Sequence, residues 1–199
     1  MQKLKVHYHK KGILVVEKPS GLATQPTRDN QENLFALLQK EFSYVSLHHR
    51  LDTPVSGLLL LCTQRRWNKA IAQAFQKRQI QRQYWAICLG APPTQGIWSW
   101  DLQGKRARTH FRTEHLGEGW SILKLSLETG RTHQIRRHAQ LAGHPLIGDR
   151  RYGGSAYKLC SRIALHAHTL SFIHPATQHQ CTITSPIPKA LHQYLPPSK

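Results

Sequence analysis

At 199 residues and 39% hydrophobic content, the chain carries enough apolar matter to bury a real core, most simply as one domain. Its 28 Lys+Arg against 10 Asp+Glu leave a formal net charge of +18, which points to a polyanionic partner, nucleic acid above all. A bilayer partner is disfavoured, because no apolar run approaches the ~20 residues needed to span one. No signal-peptide pattern follows Met1-Gln2-Lys3-Leu4-Lys5. Cys62, Cys88, Cys160 and Cys181 show no Cys-x-x-Cys spacing, and three of them, Cys62, Cys88 and Cys181, sit in strand-like context. The expectation is a cytoplasmic chain with reduced thiols, and one whose charge opposes self-association, hence a monomer.

Gly12 to Glu17 reads as a short apolar strand, stopped by the turn chemistry of Lys18-Pro19-Ser20-Gly21. Asp29 or Asn30 caps a predicted helix from about Gln31 to Phe42, with Leu34, Leu37 and Leu38 on one face. Leu58 to Thr63 is a continuous apolar strand, and Arg65 to Arg78 has helical spacing through Trp67, Ala70, Ile71, Ala74 and Phe75. Arg82 to Gly90 predicts a strand. Ile97 to Leu102, Ala107 to Glu114 and Trp120 to Leu127 predict an antiparallel meander with turns at Gly104 and Gly117-Glu118-Gly119. A short helix follows over Thr132 to Leu141. Arg162 to Phe172 and Gln180 to Thr184 are late strands, and Pro188 to Leu195 a terminal helix. Helices and strands do not alternate as βαβ units, so the fold class is α+β, a mixed, mostly antiparallel sheet with flanking helices.

The basic residues recur in clusters along the whole chain, interrupted by hydrophobic runs, as in a folded domain with a basic face and not a disordered tail. Against that background each carboxylate stands out. Asp52 closes His48-His49-Arg50-Leu51-Asp52 and precedes the turn-like Thr53-Pro54-Val55-Ser56-Gly57 at the mouth of the Leu58 strand. An acid placed there beside Arg50 suits a nucleophile kept ionised near a polyanion. In Glu128-Thr129-Gly130-Arg131-Thr132-His133-Gln134-Ile135-Arg136-Arg137-His138, a helix opening near Thr132 sets His133 beside Arg136 and Arg137. Its first turn offers backbone N–H groups to an anion while Ile135 turns inward. Asp149, in Gly148-Asp149-Arg150-Arg151-Tyr152-Gly153, reads as a turn Asp that accepts backbone N–H bonds or pairs with Arg150. The histidines gather no acids or cysteines at ligand spacing, so no metal is expected. Neither a GxxxxGK[ST] nor a G-x-G-x-x-G loop occurs, nor a G-x-S-x-G elbow, so no nucleotide cofactor and no serine nucleophile is indicated.

His49-Arg50-Leu51-Asp52-x-x-Val55-Ser56-Gly57-Leu58-Leu59-Leu60, Gly130-Arg131-Thr132-His133-Gln134-Ile135-Arg136-x-His138 and Gly143-His144-Pro145-Leu146-Ile147-Gly148-Asp149-x-x-Tyr152-Gly153 follow one another in order. With Val15 to Leu22 and Arg82-Gln83-Tyr84-Trp85-Ala86, they make five blocks that together resemble the RluA-type pseudouridine synthases. The resemblance runs from about residue 10 to 185. It implies an RNA-dependent isomerase that converts specific uridines of tRNA or rRNA to pseudouridine. It also implies a single catalytic domain with no N-terminal RNA-binding domain, and no cofactor. By family position Asp52 is the nucleophile, attacking at the ribose C1′ or at the base. Arg136 holds that carboxylate, and Tyr84 stacks on the uracil and assists loss of the C5 proton. Ile135 floors the base pocket. Arg50 resembles the residue that fills the gap left by a flipped base, although a plain phosphate contact also explains an Arg there. Arg131 and His133 join the substrate-binding set. Where the family usually has Thr, this chain has Val55, a change expected to loosen the turn after Asp52. Target selection is expected from 92–112 and from the 155–161 loop. The rival readings are an RNA-binding or assembly protein that keeps the fold without catalysis, and a hydrolase that releases free uracil.

Overall fold

The computed structural model describes residues 4–28 and 31–196. The chain divides into two compact units, Met1–Arg82 with Ala167–Ser185, and Gln83–His166 with Pro186–Lys199. Both are sheets with short helices, mostly antiparallel, as the α+β expectation has it.

In the first unit, β1 (Lys5–Lys10), β2 (Ile13–Lys18) and β4 (Ser56–Cys62) lie side by side, with the two-residue β3 (Ser46–Leu47) also on β4. β9 (Leu165–Ile173) follows β4 and pairs with β10 (Gln180–Thr184). β4 is buried at every position, which is why its sequence is a solid apolar run with no alternation. One face of β2 and β4 (Ile13, Val15, Leu58, Leu60 and Cys62) packs with Ile71, Ile80, Leu170 and Phe172. The other face (Leu14, Val16, Leu59 and Leu61) is equally closed to solvent. Each such side chain contributes roughly 1.5–3 kcal/mol through its burial.

β1 has the least apolar sequence of these strands and is read from composition only as a basic cluster. It is an edge strand, exposed at its lysines, and Lys5 and His7 meet Glu17 of β2 at 3.5 and 2.7 Å. Helix α1 (Leu34–Glu41) is shorter than its sequence pattern, because Asn33 caps it by accepting the Ala36 N–H at 3.0 Å. The caps expected at Asp29 or Asn30 lie outside the described residues. Leu34, Leu37 and Leu38 are buried as their spacing implies. The Arg65–Arg78 helix splits into a 3₁₀ turn, Arg65–Trp67, and α2 (Asn68–Gln76), with Arg78 at φ 57 closing it.

In the second unit, β5 (Gln81–Leu89), β6 (Gln95–Trp98), β7 (Thr109–Leu116) and β8 (Trp120–Leu127) form the meander, in the order β5-β8-β7-β6. The strand expected to reach Leu102 stops at Trp98. Beyond it Leu102 and Lys105 bond each other's backbones at 2.9 and 3.2 Å around Gln103 and Gly104, both at positive φ. Buried Leu102 and Ala107 anchor this loop. α3 (Gln134–Leu141) and the 3₁₀ turns Gly154–Leu159 and Lys189–Tyr194 complete the unit. The last of these stands where a terminal α-helix is expected.

Gly57, the second residue of β4, stands at φ 122, with the backbone of Ala167 so close that an added methyl group would overlap it. Gly57→Ala is therefore expected to cost about 2–4 kcal/mol, from backbone strain and overpacking together. A urea-denaturation midpoint that stays at the wild-type value would show that β4 and β9 can part without penalty.

Candidate active site

Asp52 and Arg50 belong to the first unit; Tyr84, Arg131, His133, Ile135 and Arg136 belong to the second. Asp52 is half-buried, four residues ahead of β4, in a turn closed by the Val55 N–H bonding its carbonyl at 3.0 Å. The Val55 side chain is buried, 2% exposed, and the closing bond is backbone to backbone. The turn thus has closure that does not need the hydroxyl the family's usual Thr would bring. Arg50 is exposed.

The segment 18–24 grips this turn on both sides of Asp52. Lys18, fully buried at the end of β2, donates to the carbonyls of Pro19, Leu22 and Thr53 at 2.8, 2.6 and 3.0 Å. The Gly21 N–H also bonds the Thr53 carbonyl, at 2.9 Å, and the Ser20 hydroxyl bonds that of Pro54 at 2.7 Å. On the other side the Thr24 hydroxyl donates to the Leu51 carbonyl at 2.7 Å and accepts the Leu51 N–H at 3.2 Å. Residues 51, 53 and 54 are therefore held, and the backbone of Asp52 is fixed between them. The sequence shows the turn chemistry of Lys18-Pro19-Ser20-Gly21 but nothing that marks Lys18 as buried.

His49 adds a further tie. Its Nε2 accepts the Leu60 N–H at 2.8 Å, so Nδ1 carries the proton in the neutral ring, and Nδ1 is sealed without a hydrogen-bond partner among the described residues. The ring lies 4.9 Å from that of Phe75, over which the Arg82 guanidinium sits at 5.7 Å. Burial, then the charges of Arg82 and His48, hold the His49 pKa well below its ordinary 6.5.

In the second unit Tyr84 is 5% exposed on β5, opposite Leu125 of β8. Ile135 is buried in α3, as its inward orientation requires. Arg136 is buried too, and its Nε and Nη2 bond Oδ2 and Oδ1 of Asp149, each at 2.8 Å. Asp149 Oδ1 also accepts the N–H groups of Arg151 and Tyr152 at 3.0 and 3.1 Å. Asp149 is thus the backbone-bonded turn residue expected, but the guanidinium it pairs with is that of Arg136 and not of Arg150. The bidentate fork explains the choice: one buried carboxylate satisfies two N–H groups of one buried cation. Burial by itself raises the Asp149 carboxyl, but the bonds and charge of Arg136, with the two backbone N–H groups, outweigh it and hold the pKa below 3.8.

The Arg136 guanidinium also lies 5.0 Å from the Tyr152 ring centre, and the Tyr152 hydroxyl meets His133 Nδ1 at 2.9 Å. His133, expected inside the helix, precedes it at φ 56, ψ 28. That left-handed residue turns the chain so that the helix begins at Gln134. The opening turn is partly filled from within: Gln134 Oε1 accepts the Arg131 N–H at 3.0 Å and the Thr129 hydroxyl at 2.7 Å. One N–H of the opening turn expected to face an anion, that of Arg131, is therefore already in use. The exposed Arg131 side chain bonds the Arg106 carbonyl at 3.1 Å, apart from the Arg136–Tyr152–His133 group. His138 ties α3 to the 99–108 loop and to the start of β7, with Nε2 at 2.9 Å from the Trp100 carbonyl and Nδ1 at 2.9 Å from the Thr109 hydroxyl. Lys18, Asp149 and Tyr152 are the structural contributors that sequence reasoning did not place in the site. The five-block motif pattern contains all three, without saying what each touches.

Comparison with other proteins identifies the class of this chain, with its meander of antiparallel strands, its aspartate in a clamped turn and its buried fork between Arg136 of α3 and Asp149. Residues 12–141 match the sequence profile of the RNA pseudouridylate synthase family. An uncharacterised RNA pseudouridine synthase of Zymomonas mobilis is 36% identical, over 89% of this chain and 90% of its own length. The dual-specificity RNA pseudouridine synthase RluA of Vibrio vulnificus is 34% identical, over 82% of this chain and 75% of its own. Among solved structures, human RNA pseudouridylate synthase domain containing 1 shares the fold at a TM-score of 0.77 and 24% identity, over 92% of this chain and 83% of that one. The chain belongs to the RNA pseudouridylate synthase family.

The histidines give the first unit a pH dependence of definite sign. Because the folded-state pKa of His49 lies below 6.5, its contribution to stability is complete above about pH 6.5 and is lost as pH falls toward the folded value. Wild-type stability to urea should drop between pH 7 and pH 5, by at most about 1.4 kcal/mol per pH unit from this residue. His49→Gln keeps an acceptor for Leu60 and should flatten that slope; equal slopes in the two proteins would remove His49 from the account.

Proposed function

We propose that this protein converts uridine to pseudouridine in a folded RNA, of the transfer or ribosomal class, with Asp52 as nucleophile. The observation that carries the reading is the family match over 12–141 together with an aspartate at its expected position, in a turn held from both sides. The net charge of +18 supports an RNA substrate, with phosphate contacts supplying much of the affinity.

The reaction breaks the uridine N1–C1′ bond, turns the uracil and joins C5 to C1′. The C5 proton is lost and N1 gains one, so atoms balance without an oxidant, a phosphoryl donor or a bound cofactor. Asp52 supplies the electron pair that assists departure of N1. Tyr84, a strand residue whose phenol belongs to a largely buried ring, is assigned by family position to stack on the uracil and aid loss of the C5 proton. Arg136 is assigned to keep the nucleophile ionised, and its bond to Asp149 supports that role by fixing the guanidinium plane. Arg50, exposed beside Asp52, is assigned to the RNA strand from which the uridine is flipped. Arg131 and Arg106, exposed and joined through the Arg106 carbonyl, are assigned to phosphate contact. The protein acts as a monomer in this reading.

Transcripts of tRNA and rRNA carrying [5-³H]uridine test it. Wild-type protein should release tritium and no free uracil, while Asp52→Asn lowers the rate by at least about a thousandfold and binds the same RNA within a few-fold of wild type. Full activity in Asp52→Asn would remove the nucleophile. Free uracil would identify a hydrolase. Binding without release from any transcript would favour a non-catalytic RNA-binding protein.

A further inference from the structure

A cavity of about 510 Å³ in the second unit is lined by Arg150, Tyr157, Lys158, Cys160 and Ser161. Four of these five residues fall in the 155–161 loop expected to take part in target selection, and none belongs to the candidate active site. Its size falls in the ~300–1,000 Å³ range typical of small-ligand sites. Two of its five lining residues are cations and none is an acid, so it selects for an anion. Tyr157, 42% exposed, offers a ring face, with Lys158 Nζ 5.9 Å from the ring centre.

The wall that carries these side chains is fixed although their tips are exposed. Ala156, 1% exposed, receives the Gly148 N–H on its carbonyl and donates its own N–H to Gly153, both at 3.0 Å. Gly148 stands at φ 72, hard against the Arg162 carbonyl, where no side chain would fit. The Tyr194 hydroxyl holds the Leu159 carbonyl at 2.6 Å, and Cys160 packs against the cluster of Ile87, Ile122, Ile147, Ala164 and Leu191. An exposed aromatic and two exposed cations on a pinned segment have lost part of their freedom before any ligand arrives, which lowers the entropic cost of binding.

We propose that this cavity seats a single-stranded nucleotide of the RNA substrate other than the uridine that reacts. Arg150 and Lys158 take its phosphate, Tyr157 stacks on its base, and the Ser161 hydroxyl bonds its ribose or base edge. The chemistry is that of single-strand binding, in which a basic groove follows the backbone and aromatic rings stack on bases whatever their identity. The inference rests on the RNA reading given above and adds to it where target choice is made: a uridine is accepted only if a neighbouring part of the strand is unpaired and can reach this cavity.

The test uses the full chain, the tritiated transcripts and a single-stranded octa-uridylate carrying 5-iodouridine. Tyr157→Ala should raise KM for a responding transcript roughly 5- to 100-fold with kcat retained, as loss of one base stack implies. Tyr157→Phe keeps the ring and should stay within about twofold of wild type. Lys158→Ala and Arg150→Ala should each lower the slope of log affinity against log salt by about 0.7, the value of one single-strand phosphate contact. Irradiation should cross-link the octa-uridylate to the 154–161 segment. Unchanged KM in Tyr157→Ala, unchanged salt slopes in both cation variants, or cross-links confined to other segments would overturn the proposal, and normal tritium release in those same samples would leave the isomerase reading standing. Cross-linking here by a wild-type protein that releases no tritium would do the reverse.

Discussion

The buried ammonium of Lys18 is the constraint on which the candidate site depends. Burying a cation is costly unless each donor is satisfied, and here three donors meet three carbonyls, one of them Thr53 in the Asp52 turn. Because that carbonyl also takes the Gly21 N–H, the turn is tied to 18–22 twice at a single point. Thr24 closes the other side through Leu51. A short loop at the end of a sheet is ordinarily the least restrained part of a fold. This one is restrained by a charge that has nowhere else to go, and Asp52 keeps its place as a consequence.

The second unit uses the opposite charge in the same way. Asp149 is a buried carboxylate satisfied by Arg136 and two backbone N–H groups. Such a pair adds little net stability, since desolvation offsets most of its attraction. Its effect is geometric: it sets the plane of the guanidinium, against which Tyr152 lies, and Tyr152 in turn meets His133. The left-handed backbone of His133 is held by this chain of contacts and sets where α3 starts. In the function proposed above, charged groups fixed before substrate arrives need no reorganisation during reaction.

Much of this was legible in the residues. The solid apolar run of β4 and the spacing of Leu34, Leu37 and Leu38 follow from burial on two faces or one, the meander shows in its strand runs and glycine turns, and the sequence carries those patterns openly. Asp52 stood out because acids are scarce in this chain. The misses share a cause. β1 is an edge strand whose pairing, not its side chains, makes it a strand, so a polar sequence hid it. Asn33 won the cap of α1 over earlier polar residues through a hydrogen bond that spacing alone does not choose. Asp149 takes the backbone N–H bonds expected of it, but its cation is a neighbour in space, Arg136, where the sequence offered only a neighbour in sequence, Arg150. The burial of Lys18 was invisible for the same reason: its acceptors are backbone carbonyls, which every residue has.

In the function proposed above, the hold of Lys18 on the Asp52 turn serves chemistry and not RNA binding. The direct measurement is the single-turnover rate of tritium release by Lys18→Met, in protein shown to be folded by circular dichroism, beside its affinity for the same transcript. Misplacing the proposed nucleophile by about 1 Å costs on the order of a hundredfold in rate, so a loss of that size with affinity unchanged is expected. A wild-type single-turnover rate in Lys18→Met would contradict it.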